Sequence, residues 1–315
     1  MRLAVTGASG FVGGHLLRAA AAAGHEAVGV VRSAAGAERV REAGAQAAVA
    51  ALDRLALSAA FEGAAAVVHL AHIGSERGAD TYEAVNVAGT RQVVAAAWDA
   101  RVPRVVMLSG LGVARYGLAP RVTSRYFRSK LEAEQALFSS ALPAVVLRPS
   151  YVLGAGDAFV PWLLAQARTG VVELPGDGSY RMQPLAVEDA AAAILAACDP
   201  QGPPERLFHP GRPPHRVFDL VGPEPVAVRE FARRLFAAAA EAGTRLEPEL
   251  RAVAFEEADR QARAGGWQGM PADELDCLLC DEVADHGPLE GLLGRPLLPV
   301  DTALRRAVAP LLIPQ

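Results

Sequence analysis

Short apolar runs alternate with longer stretches of helical periodicity along the first half of the chain. RLAVT at 2–6 is one such run, and it leads into the glycine cluster GASGFVGG at 7–14. A helical pattern follows from about Phe11 to Ala23, with Gly24 as its C-terminal stop. EAVGVVR at 26–32 reads as a second strand, so the chain opens with a strand–turn–helix–strand unit. AAVVHLAHI at 65–73, RVVMLSG at 104–110 and AVVLRPS at 144–150 are compact and rich in β-branched residues, as strands buried on both faces are. Helical segments near 82–100 and 124–141 separate them. Strands and helices that alternate in this way predict an α/β fold around a parallel sheet.

The pattern changes after Pro149. Residues 151–182 mix Gly and Pro turns with short apolar segments, and a helix is expected near 188–198. The proline-rich stretch DPQGPPERLFHPGRPPHR at 199–216 reads as a loop. Helices near 227–242 and 300–309 stand in a tail of weaker periodicity. The expected organisation is a doubly wound parallel sheet over 1–150 and a smaller C-terminal region over 151–315 on the substrate side. Segments near 183–200 and 217–222 are expected to return to the sheet domain.

Composition narrows the class. A chain of 315 residues that is 51% hydrophobic can bury a full core, and a net charge of −4 argues against a general nucleic-acid or anionic-membrane binder. No apolar run is long enough for a transmembrane helix, the first residues carry no signal-peptide pattern, and three cysteines are too few for a disulfide framework. A cytoplasmic location is expected. One count stands apart: of the 31 Lys and Arg residues only Lys130 is a lysine. The Ala, Gly, Pro and Arg excess fits a GC-rich coding bias, which replaces Lys by Arg wherever charge alone matters. A lysine that survives it marks a place where Arg is a poor substitute.

Gly7, Gly10 and Gly13 are spaced G-x-x-G-x-x-G directly after a strand and at the start of a helix. In that context Gly7 allows a tight turn, Gly10 lets the backbone approach a pyrophosphate, and Gly13 lets helix and strand pack closely. The helix N-terminus then offers free N–H groups to phosphate, so the unit reads as a Rossmann-type dinucleotide site. The residue at the end of the second strand reads the ribose 2′ position. Here it is Arg32, which favours NADP over NAD, with NAD kept as the alternative. Asp53 has two readings, an acceptor for the adenine amino group or a helix N-cap.

Tyr126 and Lys130 lie four residues apart in SRYFRSKLEAEQAL, which puts both on one helix face. A free phenol titrates near 10 and is a poor acid or base at neutral pH, whereas an ammonium nearby favours the phenolate. The same ammonium can hydrogen-bond a nicotinamide ribose. Tyr126 is therefore the candidate acid/base and Lys130 both its modulator and a cofactor ligand.

At this point the chain resembles the short-chain dehydrogenase/reductase superfamily, in its extended, epimerase/dehydratase-like branch. The residues that carry the resemblance are TGASGFVG at 6–13, NVAGT at 86–90, YFRSK at 126–130, LRPSYVLGAGD at 147–157 and PLAVEDAA at 184–191. VFDLVGPEPVAVREFARRL at 217–235 resembles the segment that follows, and the tail beyond about 245 resembles nothing specific. The resemblance implies a nucleotide site formed by Gly7, Ser9, Gly10, Phe11, Val12, Gly13, Arg32, Asp53, Leu70, Ala71, Lys130 and Pro149. It also implies a catalytic Ser or Thr near the end of the fifth strand. In the usual alignment Gly110 takes that place and Ser109 stands one position early, so Ser109 is kept as the candidate. Asn86 is expected to be structural. The intact Tyr/Lys pair with RYFRSK and GDAFVPWLL…PGDGSYRMQP most resembles an atypical subgroup that includes the nucleotide-binding accessory subunit of respiratory complex I.

Other residues have plainer readings. Cys277 and Cys280 fall three apart on an expected helix and suit packing better than a metal, with His286 downstream and no fourth ligand. His69 is expected to be a hydrogen-bonded core residue, and His72 to line the nicotinamide pocket. Arg206, His209, Arg212, His215 and Arg216 form a basic loop read as solvated charge, and Glu188 and Asp189 suit a helix start. Two functions stay open. One is an NADP-dependent oxidoreductase, or an epimerase or dehydratase with transient hydride transfer, acting on a small molecule. The other is a non-catalytic NADPH-binding module, structural or regulatory; under either, a homodimer or association with a larger complex is expected.

Overall fold

A computed structural model describes residues 1–119, 121–199 and 215–311. The first half runs β1 (Arg2–Thr6), α1 (Phe11–Ala22), β2 (Glu26–Val31), α2 (Ala34–Glu42), β3 (Gln46–Val49), α3 (Arg54–Phe61) and β4 (Ala66–His69). A π-helical stretch (Tyr82–Ala88) then leads without a break into α4 (Gly89–Asp99), followed by β5 (Val105–Leu108), α5 (Arg125–Phe138) and β6 (Ala144–Pro149). The second half contains β7 (Val152–Leu153), α6 (Phe159–Arg168), β8 (Val171–Pro175), β9 (Arg181–Met182), β10 (Leu185–Ala186), α7 (Val187–Cys198), β11 (His215–Leu220), β12 (Val226–Ala227) and α8 (Val228–Glu241). The tail adds β13 (Glu249–Val253), α9 (Phe255–Ala264), α10 (Ala272–Leu279), α11 (Gly287–Leu293) and α12 (Val300–Val308).

Seven of these strands form one parallel sheet in the order β11-β6-β5-β4-β1-β2-β3. Parallel strands need crossovers, and the helices that supply them cover both faces, which explains why the central strands are apolar throughout. Leu3, Val5, Val68, Val106 and Leu147 face α1 and α7 in one buried cluster, and Ala4, Val67, Val105 and Val146 pack toward α3, α4 and α5 in another. β11 pairs with β6 from His215 through Leu220, so the chain comes back to the sheet after α7. The strand takes His215 and Arg216 out of the expected basic loop, while Arg206, His209 and Arg212 lie outside the described residues.

The helix expected near 82–100 is not uniform, because its first two turns are π-helical. Asn86 lies in that stretch. Its amide donates to the Ile73 carbonyl (3.1 Å) and to Ser129 (3.0 Å), and its carbonyl accepts from the Ile73 N–H (2.9 Å). A widened turn here re-aims one side chain to fasten the 73–81 loop against α5.

A separate core in the second half is built around Leu163, Leu174, Phe231, Leu235, Trp267, Leu275 and Leu304. Two ion pairs tie the tail to α7: Arg295 with the fully buried Asp189 (2.6 Å) and Arg306 with Glu188 (2.9 Å). Asp189 also accepts from the Leu298 N–H (2.7 Å). These carboxylates do more than suit a helix start, since they hold a tail more than a hundred residues away in sequence.

Candidate active site

The glycine turn behaves as its spacing requires. Gly7 has φ +69°, and a Cβ there would lie 2.6 Å from the Ala71 nitrogen. A Cβ on Gly13 would meet the carbonyl oxygens of Ala8 and Gly7 at 2.6 Å, so any side chain would push α1 off the turn. α1 starts at Phe11 with no side-chain cap, which leaves its first N–H groups for a ligand. Beside this turn lies a cavity of about 520 Å³, whose wall includes Gly7, Ser9, Gly10, Arg32, Leu70 and Ala71. A backbone cradle with no room for side chains, a helix N-terminus and a slot between Val30 and Leu52 suit a pyrophosphate flanked by an adenosine.

Not every expected ligand falls on this cavity. Asp53 is the N-cap of α3, its carboxylate accepting from the Ala56 N–H (3.0 Å), and Leu52 lines the cavity instead. The side chain of Phe11 packs edge-on against His15, which leaves its backbone N–H as the part at the phosphate turn. Arg32 lines the cavity, and its guanidinium donates to both oxygens of Asp80 (2.9 Å each). Sequence reasoning missed Asp80, because nothing in the 74–81 loop marks it as a partner across nearly fifty residues.

A second cavity of about 530 Å³ adjoins the first, with His72 on the wall of both. Val12, Ser109, Gly110, Tyr126 and Pro149 line it from the sheet side. α5 carries Tyr126 and Lys130 one turn apart, and Ser124 caps that helix by accepting from the Phe127 N–H (3.4 Å). The Lys130 ammonium is buried and donates to the Leu108 carbonyl (2.9 Å). Burial lowers its pKa to about 8, against the opposing pull of Glu134. Tyr126 moves the other way. Burial raises its pKa, and Cys277, Glu282 and Glu274 add to the rise. Lys130 is not among the causes, and with no nucleotide bound the phenol holds its proton.

A Cβ on Gly110 would lie 3.9 Å from the Tyr126 hydroxyl, so Gly110 stands where a serine would face the phenol. The Ser109 hydroxyl is buried on the cavity wall, with no hydrogen-bond partner among the described residues. His69 has a core role: its ring bridges Thr6 (2.7 Å) and Thr90 (3.0 Å), and burial lowers its pKa to about 3. Burial, with the Lys130 charge, also holds His72 neutral, at about 4.

The rest of the cavity wall comes from regions where the sequence carried no functional signal. Tyr151, Phe159 and Trp162 form one side, and Met270, Cys277 and Glu282 of the tail form the other. Cys277, expected only to pack, thus faces the cavity. The tail is fastened over the site by Tyr82, whose hydroxyl donates to Asp273 (2.7 Å), and by Trp162, whose indole donates to the Gln268 carbonyl (3.0 Å).

Sheet order, glycine cradle and adjoining cavities define a dinucleotide-binding protein of the doubly wound class. The chain belongs to the NAD dependent epimerase/dehydratase family, whose model matches residues 3–208, within the extended short-chain dehydrogenases/reductases. It is 33% identical over 225 residues to the 4-hydroxy-2-methyl-3-oxo-4-farnesyl-3,4-dihydroquinoline-1-oxide ketoreductase of Stigmatella aurantiaca, covering 66% of this chain and 67% of that one. It is 29% identical over 265 residues to the 2-alkyl-3-oxoalkanoate reductase of Stenotrophomonas maltophilia, covering 76% of each. A mitochondrial NADH dehydrogenase [ubiquinone] 1 alpha subcomplex subunit 9 from Arabidopsis thaliana is 30% identical over 132 residues, 40% of this chain and 31% of that one, in keeping with the atypical subgroup. The fold is shared with MoeE5 in complex with UDP-glucose and NAD, at a TM-score of 0.71 and 24% identity over 98% of this chain and 97% of that one. Among the described residues no helix is long and apolar enough to cross a membrane.

Proposed function

We propose that this protein is an NADP(H)-dependent carbonyl reductase in which Tyr126 is the proton donor. The observation that carries the reading is a neutral phenol on the wall of a cavity that adjoins the glycine-turn cavity at His72. Reduced nicotinamide, when bound, supplies hydride to the carbonyl carbon. Tyr126 gives its proton to the carbonyl oxygen, so that C=O becomes CH–OH. Reduction calls on an acid, so the phenol must enter the step protonated, and release of its proton is what the Lys130 ammonium, one turn away on α5, would favour. Lys130 spends one N–H on Leu108 and has two left, enough to hold a ribose hydroxyl and help return a proton to Tyr126. Two of the curated relatives are named as reductases of keto compounds, which favours reduction over epimerisation.

Arg32 supports NADP(H) over NAD(H). Its pairing with Asp80 is exposed, and such pairs contribute at most about 1 kcal/mol. Charged hydrogen bonds to a 2′-phosphate are worth roughly 1.5–3 kcal/mol each, so the phosphate displaces the carboxylate. The alternative, a module that binds the nucleotide without turnover, rests on Gly110 beside Tyr126. The test is NADPH consumption with a panel of ketones, compared between wild type and Tyr126→Phe. Turnover that collapses in the variant with NADPH binding intact supports the reductase. Binding without turnover across the panel supports the module.

A further inference from the structure

The composition of the cavity beside Tyr126 restricts what can enter it. Its wall is dominated by the rings of Tyr126, Phe127, Tyr151, Phe159 and Trp162, and among the described residues no arginine or lysine lines it. A diphosphate or carboxylate entering here would lose its hydration and meet no cation in return. Among the described residues the only carboxyl groups on the wall are Glu274 and Glu282, which would repel an anion when ionised.

Glu282 is the better placed of the two. It is only 6% exposed, and among the described residues it forms no ion pair. Ser150 lies beside its side chain and favours the charged form. The backbone around it is clamped: the Glu282 N–H donates to the Arg181 carbonyl (2.9 Å), and the Arg115 guanidinium donates to the Asp281 carbonyl. A rigidly held carboxyl with spare hydrogen-bonding capacity therefore shares an aromatic cavity with Tyr126 and the unpartnered Ser109 hydroxyl.

We propose that the cavity takes an uncharged carbonyl compound with an apolar ring or chain, and that Glu282 binds a second polar atom of the molecule whose carbonyl meets Tyr126. The orientation rests on the carbonyl-reductase reading, whereas the selection for a neutral apolar ligand does not. Burial raises the pKa of Glu282 to about 8, opposed by Ser150 and Arg115. The groups facing it are the phenols of Tyr126 and Tyr151, the thiols of Cys277 and Cys280, the carboxyl of Glu274, and the cation of Arg115. Burial is the largest cause holding each phenol and thiol in its neutral form, and it raises Glu274 as well. Arg181 lies outside the cavity, paired with Asp281 (3.3 Å). Below its pKa Glu282 is a neutral acid that can donate, and above it an anion in an apolar site that cannot.

The test compares ethyl benzoylformate with benzoylformate, the same body without and with a charge, and uses UDP-glucose as a diphosphate control. Binding to the nucleotide-free protein, whose cavity holds no nicotinamide cation, is read by quenching of Trp162, identified against Trp162→Phe, and turnover by NADPH consumption. The ester is expected to bind at least about tenfold more tightly than the acid or UDP-glucose. Its affinity should fall as pH rises through about 8 in the wild type. Glu282→Gln, whose amide still donates, should bind the ester within about threefold of wild type with no such pH dependence, and Glu282→Leu should lose about tenfold or more. Acid or UDP-glucose binding as tightly as the ester, no binding of the ester, or full affinity in Glu282→Leu overturns the proposal. Glu282-dependent binding of the ester without NADPH consumption leaves the cavity proposal standing and sinks the reductase reading instead.

Discussion

The pairing of Arg32 with Asp80 gives the sharpest test of cofactor choice. Both Asp80 oxygens accept from one guanidinium nitrogen at 2.9 Å, with the side chains 64% and 42% exposed. At that exposure the pair contributes about 0.2–1 kcal/mol, and salt weakens it further. A 2′-phosphate that replaces Asp80 gains one or two charged hydrogen bonds, together about 2–3 kcal/mol after the carboxylate is released. Arg32→Ala should therefore raise the Kd for NADPH by roughly 30- to 100-fold, and leave that for NADH within about twofold. Asp80→Asn frees the guanidinium and removes a nearby negative charge. It should tighten NADPH by about two- to fivefold, most visibly at low ionic strength. The assay is equilibrium titration of both reduced nucleotides, followed by their own fluorescence. Unchanged NADPH binding in Arg32→Ala would refute the reasoning. So would selective loss of NADH binding in Asp80→Asn, because Asp80 would then be reading a ribose hydroxyl.

Three further outcomes are expected. Gly110 has extended backbone, and an added Cβ meets nothing closer than the Tyr126 hydroxyl at 3.9 Å, so Gly110→Ser should fold normally and place a hydroxyl beside the phenol. One added donor to the developing oxyanion should raise kcat by about tenfold, roughly 1.4 kcal/mol; an unchanged or lower kcat with intact folding would count against it. Glu134 is 1% exposed and pairs with Arg148 through two hydrogen bonds (2.9 and 2.6 Å). Glu134→Ala strands that charge and should cost about 3–5 kcal/mol in urea unfolding, whereas a loss below about 1 kcal/mol would show that water or another acceptor takes over. Burial brings the Lys130 pKa to about 8 from the ordinary 10.5, so the unfolded chain binds more protons between those limits. Its contribution makes stability rise with pH across that window by roughly 1.4 kcal/mol per unit. The difference between wild type and Lys130→Met, measured by urea unfolding at several pH values, should carry this slope and be flat below the window.

Much of the sheet domain was legible because its signals are local. The G-x-x-G-x-x-G spacing between a strand and a helix prescribes a turn with no room for side chains, and Gly7 and Gly13 occupy that turn as the spacing required. Residues 105–108 and 144–149 read as strands because parallel strands buried on both faces must be apolar throughout. The Tyr126–Lys130 pairing followed from helical period alone. What Lys130 does to Tyr126 did not follow. Desolvation depends on everything packed around a phenol, and here it is the largest cause of the shift. Asp53 shows the same limit, since an acid before a helix serves as a cap or as a ligand according to which way the surrounding loop faces.

The tail marks the boundary most clearly. Its helices are short, and an apolar face on each marks a packed side without saying against what, so no pattern in 267–282 suggests a wall opposite Tyr126. Tyr82 and Trp162, which reach Asp273 and the Gln268 carbonyl, hold that wall in place, and such pairings exist only once the chain has folded. By itself the sequence determined the doubly wound sheet, the nucleotide turn and the one-turn spacing of Tyr126 and Lys130, because each depends on residues within a turn or two of one another. Tertiary structure alone decided that Asp80 meets Arg32, that Gly110 faces the phenol, and that Glu282 enters an aromatic cavity without a cation. Those features arise from contacts between distant segments, and burial and charge at such contacts are properties of the packed molecule.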